Sequence, residues 1–417
     1  MKVLLVNPPI YDFTAYDFWL RPYGMLRVAG LMRHQCDLGF FDFLISSPRD
    51  AWGRGWFESC EVAKPECLKD IPRRFRRFGR RRSEFRAFLQ SESFDAVLVQ
   101  TTMTYWYPGI KEVIEDVRLL QPAAKIVIGG IYATLCADHA RSLDVDLVVE
   151  GSDLAPLWRL LSIEPKSEVA FWPAQKAKVG VIKITEGCPL RCTYCSAPLL
   201  WREFSIRPTA ACLHELQQMI SAGLSNIAFY DDALLFRAEE ALTPFLEKVI
   251  QCRLPVQFHT PNALHARFMS PELARLMIKA GFRSFYFGLE SGSEQWQRST
   301  GGKVYPEEFA AAVECTRRAG AEYIASYVIV GHPDSDDQQL QYSIRFAHQC
   351  GTRVILSEFS PIPGTIDGVR SEKWVDPKEP LSHNKTAFTI RRLGVDYLDK
   401  LKKLSRSLNA QLNISIK

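Results

Sequence analysis

Apolar residues along the first 150 positions come in short unbroken runs, each stopped by polar or turn-forming residues. Lys2–Val6 (KVLLV) stops at Asn7-Pro8-Pro9. Leu38–Leu44, Ala96–Gln100 (AVLVQ), Lys125–Ile128 (KIVI) and Asp146–Val149 (DLVV) repeat the pattern. Runs without alternation predict strands covered on both faces. Between them, Gly24–Arg33 and Ile110–Leu120 place apolar residues at every third or fourth position, which predicts helices. Strand and helix in alternation predict an α/β fold: a Rossmann-like, doubly wound parallel sheet over residues 1–165. Ligands of such sheets lie beyond the carboxyl ends of the strands. Here those ends are Asn7 and Pro8, Thr101 and Thr102, Gly129 and Gly130, and Gly151.

A second series follows. Strands are expected at Gly180–Ile184, Asn226–Tyr230, Val256–His259, Ser284–Gly288, Tyr323–Val330 and Val354–Glu358, with helices such as Thr209–Ala222 and Pro306–Ala319 between them. Six such units predict a partial (β/α)6 barrel of the TIM type over residues 179–370. Residues 166–178 read as a linker. Residues 371–417 read as a helical C-terminal extension, because Asp396–Asn413 has helical apolar spacing.

The stretch from about 46 to 93 breaks the pattern and reads as an insertion. Its segment Pro72–Arg86 sets eight arginines against one acid, Glu84, with Phe75, Phe78 and Phe85 between them. A solvated basic face is the plain reading. Phosphate or nucleic-acid binding and a lid over the active site are the alternatives.

The chain has 417 residues, 47% hydrophobic and 24% charged, with a net charge of +5. This is the composition of a globular protein with sizeable cores. No uncharged apolar run reaches the ~18 residues of a membrane span. The apolar run Val3–Val6 is too short for a signal peptide, so a cytoplasmic location is expected. Eleven cysteines, an odd and dilute count, argue against a disulfide framework. Eight of them are scattered. The other three, Cys188, Cys192 and Cys195, fall in Glu186-Gly187-Cys188-Pro189-Leu190-Arg191-Cys192-Thr193-Tyr194-Cys195. Thiolates select zinc, copper(I) or iron–sulfur clusters. A structural zinc site takes four protein ligands, and no second Cys or His pair lies nearby. Three thiolates on one loop suit three corners of a cubane cluster.

This CxxxCxxC loop, directly after the first strand of the second series, resembles the signature of the radical S-adenosylmethionine (SAM) superfamily. Later strand ends match as well: Tyr230-Asp231-Asp232, Gly288-Leu289-Glu290-Ser291-Gly292, Gly331-His332-Pro333 and Pro361-Ile362-Pro363-Gly364-Thr365. The resemblance implies a [4Fe-4S] cluster on Cys188, Cys192 and Cys195, with SAM on the open iron. One-electron reduction would cleave SAM to methionine and a 5′-deoxyadenosyl radical. By position, Tyr194 would lie near the adenine and Asp231 or Asp232 at the methionine amine. Glu290 would take the ribose hydroxyls or that amine, and Arg207 the SAM carboxylate. His259 and Asn262 end the third strand and are candidate substrate contacts, although a satisfied buried histidine reads equally well at position 259.

The first half, through KVLLVNPP, PYGMLRVAGLM, FDAVLVQTT, KIVIGG and DLVVEG, resembles the cobalamin-binding domain fused to many radical SAM enzymes. It lacks the DxHxxG that carries a lower axial histidine in other cobalamin proteins. Together the resemblances imply methyl transfer to an unactivated carbon or phosphorus. A small-molecule substrate is favoured over a macromolecule, and an electron donor such as flavodoxin or ferredoxin is required. A cobalamin-independent radical enzyme, including an RNA-modifying one, and a non-catalytic cluster protein are the rival readings.

Overall fold

The computed structural model describes residues 1–166, 169–173 and 179–412. The chain forms two compact units, Met1–Ala177 with Trp374–Asn384, and Lys178–Lys373 with Lys385–Lys417.

The first unit is built on five parallel strands: β1 (Lys2–Asn7), β2 (Asp37–Asp42), β3 (Ala96–Thr101), β4 (Lys125–Gly130) and β5 (Leu147–Val149). Their spatial order is β5-β4-β3-β1-β2. The order reverses between β1 and β3, which makes that crevice the topological switch point. Alternate side chains face opposite layers. Val3 and Leu5 pack against Met25, Ala29 and Met32 of α1 (Tyr23–Met32). Leu4 and Val6 pack with Phe85 and Leu89 of α2 (Arg82–Ser91) and with Val113 and Val117 of α3 (Tyr107–Leu120).

Three expectations for this unit change. The arginine-rich stretch is part of the fold, because α2 is the crossover between β2 and β3 and buries Phe85 and Leu89. Phe75 and Phe78 are buried too, so they form no stacking platform. The single acid within the run misled, since the partners come from elsewhere in sequence. Arg77 pairs with buried Glu112 at 2.7 Å, Arg82 and Arg86 with Asp116, Arg81 with Glu58, and Arg74 with Glu61. The expected linker is also shorter. The Phe171 amide donates to the Leu26 carbonyl, and a Cβ on Gly30 would overlap the Val169 carbonyl, so this stretch lies against α1. Residues 167–168 and 174–178 of that linker lie outside the described residues. Finally, the C-terminal extension divides. Residues Trp374–Asn384 complete the first unit, with Asn384 donating to Asp12 at 2.9 Å, His383 Nδ1 3.1 Å from Thr104 Oγ1, and Tyr107 donating to Glu379 at 3.2 Å.

The second unit is a six-stranded parallel sheet in chain order: β6 (Val179–Ile182), β7 (Asn226–Phe229), β8 (Gln257–His259), β9 (Phe282–Glu290), β10 (Tyr323–Val330) and β11 (Arg353–Glu358). The longer helices between them are α4 (Thr209–Ser221), α5 (Leu242–Gln251), α6 (Pro271–Lys279), α7 (Pro306–Arg318) and α8 (Asp337–Gln349). An exposed edge strand invites unwanted pairing. The last helix, α9 (Val395–Gln411), covers β11. Asn409 both accepts from the Val354 amide and donates to its carbonyl, at 2.8 and 2.9 Å, and Lys402 pairs with Glu358 at 2.6 Å. No helix among the described residues is long and apolar enough to cross a membrane.

Candidate functional site

Beyond β6 the chain makes a two-residue strand, Thr185–Glu186, antiparallel to Ser205–Ile206. This ribbon closes the loop that carries the three cysteines. Gly187 enters it at φ +77°, and a Cβ there would lie 2.6 Å from the Glu203 carbonyl, so both conformation and space require glycine. Cys188, Cys192 and Cys195 are free and half-buried. Burial raises all three thiols, Cys195 to about 11. Ligation must therefore displace protons. Among the described residues, no three His, Cys, Asp or Glu groups converge on one metal ion. Thiolates that bind separate irons of a cubane need not converge in that way.

The loop is tied down on its far side. The Asp367 amide donates to the Thr193 carbonyl at 3.0 Å, and the Thr193 hydroxyl donates to the Asp367 carboxylate. The Thr193 amide donates to the Thr300 carbonyl. The same buried carboxylate meets His332 Nε2 at 3.0 Å and Arg370 at 2.8 Å. Tyr194 stacks on Trp296 with centroids 5.7 Å apart, and His332 packs edge-on to Trp296.

Glu290 ends β9 on a bulge at φ +63°, a left-handed conformation in a non-glycine residue. Strain of this kind concentrates at functional sites. Its Oε1 accepts from Lys303 at 2.6 Å. Burial alone would lower the Lys303 ammonium, but the Glu290 carboxylate, together with Cys192 and Cys195, outweighs it and holds the pKa above its ordinary value. A Cβ on Gly288 would overlap Lys303 Nζ and lie 2.6 Å from Glu290 Oε1, so Gly288 makes the room for this pair.

Asp231 is buried, and its Oδ1 accepts from the Ile184 amide, the Thr185 amide and the Thr185 hydroxyl at 2.9, 2.5 and 2.7 Å. It staples the approach to the cysteine loop, and its Oδ2 has no hydrogen-bond partner among the described residues. Asp232 pairs with Lys183 at 3.1 Å. Arg207, expected at a SAM carboxylate, is held by Glu215 at 2.7 Å and by the Lys183 carbonyl. His259 is placed differently from the expectation of a mouth residue. It is fully buried, with Nδ1 2.8 Å from Ser284 Oγ and Nε2 3.0 Å from Asn226 Oδ1, so both nitrogens serve the core. Asn262 is exposed and ties the β7 end by donating to the Tyr230 and Asp231 carbonyls.

Burial raises Asp231 to about 6. A carboxyl raised above its unfolded value of about 3.9 favours the fold when protonated, and that contribution is lost as pH rises through 6. Two pK units correspond to about 3 kcal/mol. Cluster-free Asp231→Asn should therefore lack the decline in stability between about pH 4 and 7 that the parent shows. Urea unfolding across that range reads the difference, and parallel pH profiles would refute it.

Sequence reasoning missed Lys303 and His265. Lys303 lies 13 residues beyond Glu290, after the Gly301-Gly302 turn, where spacing gives no hint of the pair. His265 Nε2 is 3.9 Å from Cys188 Sγ. Burial, with Lys303 and Arg267 nearby, lowers its imidazole to about 3. Its Nδ1 has no hydrogen-bond partner among the described residues.

The candidate ligand edge of the first unit has two different ends. At the switch point Asn7 donates to Asp42, and Asn7, Pro8, Gln100, Thr102, Arg21 and Trp106 line a cavity of only about 10 Å³. That is room for about one water. At the β3-β4-β5 end Thr101 is buried and its hydroxyl accepts from the Ala133 amide, while Gly129 and Gly130 are half-buried. Gly151 at φ +61° faces open space there, its amide donating to Thr134. Met103 and Ile131, just beyond the ends of β3 and β4, are 44% and 37% exposed, which leaves an open apolar ledge.

Residues 182–347 match the family model of the radical SAM superfamily. The chain is 25% identical over 201 residues to an uncharacterized methyltransferase of Pyrococcus horikoshii, covering 46% of this chain and 42% of that protein. It is 25% identical to the threonylcarbamoyladenosine tRNA methylthiotransferase MtaB of Thermotoga maritima, over 61% of this chain and 64% of the relative. The chain thus spans less than two thirds of either relative's length. Among solved structures, the radical SAM methyltransferase TsrM of Kitasatospora setae, with cobalamin and a [4Fe-4S] cluster bound, shares the fold. The TM-score is 0.65 at 14% identity, covering 89% of this chain and 78% of that one.

Proposed function

From the premise that residues 182–347 are a radical SAM domain, and the chain therefore an enzyme, we propose that it cleaves SAM reductively at a [4Fe-4S] cluster. Cys188, Cys192 and Cys195 would hold the cluster. The product radical chemistry would serve corrinoid-dependent methyl transfer to an unactivated carbon or phosphorus of a small molecule. The observation that carries the reading is the clamped three-thiol loop in the same domain as the buried Glu290–Lys303 pair. The donor set fits, since three soft thiols share one loop and a fourth iron is left without a protein ligand.

When bound, the cluster and SAM supply reductive cleavage of the sulfonium to methionine and a hydrogen-abstracting 5′-deoxyadenosyl radical. The residues of this chain position and shield. Glu290 and Lys303 offer one charge of each sign within 2.6 Å, complementary to the ammonium and carboxylate of an amino-acid head group. Asp231 fixes the approach to the cysteine loop, and its free Oδ2 can accept one more donor. Tyr194, backed by buried Trp296, is the aromatic ring of the loop that a purine could approach. The pairing of Arg207 with Glu215 fits a structural role better than a contact with SAM. On the first unit, the ledge of Met103, Ile131 and Gly151 suits the flat face of a corrin ring, whereas the switch-point cavity is too small for any cofactor. A corrinoid there would supply the methyl group.

The test is anaerobic purification from cells given cobalamin, followed by assay of iron, sulfide, corrinoid and 5′-deoxyadenosine after dithionite reduction. Cubane-level iron, stoichiometric corrinoid and 5′-deoxyadenosine are expected. Iron and 5′-deoxyadenosine without corrinoid, even after reconstitution, would leave radical chemistry and remove methyl transfer. Iron without 5′-deoxyadenosine would remove both.

A further inference from the structure

Packing does not explain one buried side chain beside the cysteine loop. His265 is 4% exposed. His259 and His332, buried in the same unit, spend both ring nitrogens on the protein. His259 meets Ser284 and Asn226, while His332 meets Asp367 and accepts from the Asp334 amide at 3.2 Å. The His265 ring has a single hydrogen-bonding neighbour among the described residues, Cys188 Sγ, 3.9 Å from Nε2. A buried ring nitrogen without a partner is costly. An apolar ring would fill the same space without that cost.

The fold holds this imidazole in place. Leu264 bridges in parallel to Phe287 of β9. Its amide donates to the Tyr286 carbonyl at 2.7 Å, and its carbonyl accepts from the Gly288 amide at 3.2 Å. His265 therefore leaves the sheet beside Gly288, the residue that makes room for Glu290 and Lys303. The His265 carbonyl accepts from the Phe268 amide at 3.1 Å, and the Phe268 ring packs edge-on to the imidazole with centroids 6.1 Å apart. Cys195 Sγ also has a donor, the Ala197 amide at 3.4 Å. Almost any residue supplies a backbone amide, whereas the group beside Cys188 depends on the side chain at position 265.

Given the cluster proposed for this loop, on which this reading rests, we infer that His265 is a positioning residue that donates its Nε2–H to the Cys188 thiolate and raises the cluster's reduction potential. A metal-bound thiolate carries no proton and can only accept, so the ring nitrogen beside it must be the one that bears hydrogen. Sulfur is large and polarisable, which suits it to a longer contact than oxygen. Reduction by an external one-electron donor adds one electron to the cluster, with no bond made or broken. The added charge spreads onto the sulfurs, and a hydrogen bond to one of them favours the reduced form. His265 would thus ease the reduction that must precede SAM cleavage, acting through Cys188 and touching neither SAM nor substrate.

The test is an EPR-monitored redox titration of the reconstituted full chain without SAM, for the parent, His265→Phe and His265→Gln. Phenylalanine keeps a planar ring and removes the donor, whereas glutamine can place an amide N–H where Nε2 stood. Iron and sulfide should match the parent in both variants. In His265→Phe the ratio of reduced to oxidised cluster at a fixed potential should fall roughly fivefold to tenfold, tenfold being about 59 mV for a one-electron couple. His265→Gln should recover most of that loss. An unchanged ratio in His265→Phe would overturn the inference. So would an equal fall in both variants, which would assign the effect to packing. Loss of iron from His265→Phe would assign the residue to cluster assembly and overturn the inference as well. A parent chain that binds no cubane iron would instead overturn the cluster reading itself.

Discussion

Cys192→Ala, isolated anaerobically, should carry almost no cluster iron and make 5′-deoxyadenosine at least about a thousandfold more slowly than the parent. In the proposed site the middle cysteine could not be bypassed, because each thiolate would hold a separate corner of the cluster and the loop offers no fourth thiol. His265 does not substitute for it, since its Nε2 lies beside Cys188. The change should spare the apoprotein. The bonds that fix the loop run through the backbone and side chain of Thr193 to Asp367 and Thr300, and Cys192 Sγ is not among them. Cluster-free parent and variant should therefore unfold within about 1 kcal/mol of each other in urea. Retained iron and activity in the variant would refute the ligand assignment. A collapse of apoprotein stability would show the residue to be structural.

Gly288→Ala should damage the candidate site although it removes no functional group. The new methyl would occupy the space of Lys303 Nζ, so the ammonium must leave or the strand must shift. If Lys303 leaves, Glu290 remains as a nearly buried carboxylate without its cation. Breaking a buried pair on one side costs about 3–5 kcal/mol. The site would also lose one sign of the charge pair proposed to receive the amino-acid end of SAM. SAM affinity, read by equilibrium dialysis, should fall at least roughly tenfold, while iron content stays at the parental level. A double variant Gly288→Ala/Lys303→Ala separates the causes. Were the overlap with Lys303 responsible, the stability losses would be strongly non-additive, because the second change removes the atom that the first one hits. Additive losses with unchanged SAM affinity would contradict this account.

These sites differ in how openly the sequence declared them. The three cysteines were legible because their chemistry is local, with soft donors packed into eight residues of one loop. The parallel strands were legible because strands covered on both faces must be apolar throughout, as in β1 and β4. Helix α2 was not, because its buried positions are interrupted by arginines whose acids, Asp116 and Glu115, lie some 30 residues away. Partners so far apart leave no periodic trace. His259 misled for the opposite reason. Its place at a strand end suggested the mouth, and only the positions of Ser284 and Asn226 reveal that both nitrogens are used inside. Lys303 and Asp367 were invisible for the same reason as the arginine partners. Each works through a residue on another strand end, and the fold alone creates that neighbourhood.

The segment Trp374–Asn384 also constrains how the chain is made. Asn384 donates to Asp12 across 372 residues of sequence, and His383 reaches Thr104 across 279. Both ends of these contacts are buried in the first unit. During synthesis that unit therefore cannot finish folding when its own strands have emerged. It must wait until Asn384 has left the ribosome. At about 5–20 residues per second, the delay between the third strand and its last contact is of the order of tens of seconds. Over that interval Asp12 and Thr104 lack the groups that later cover them. A chain stopped short of Glu379 would leave Asp12, Thr104 and Tyr107 without these partners for good, so a truncation in the second unit's part of the sequence is felt inside the first.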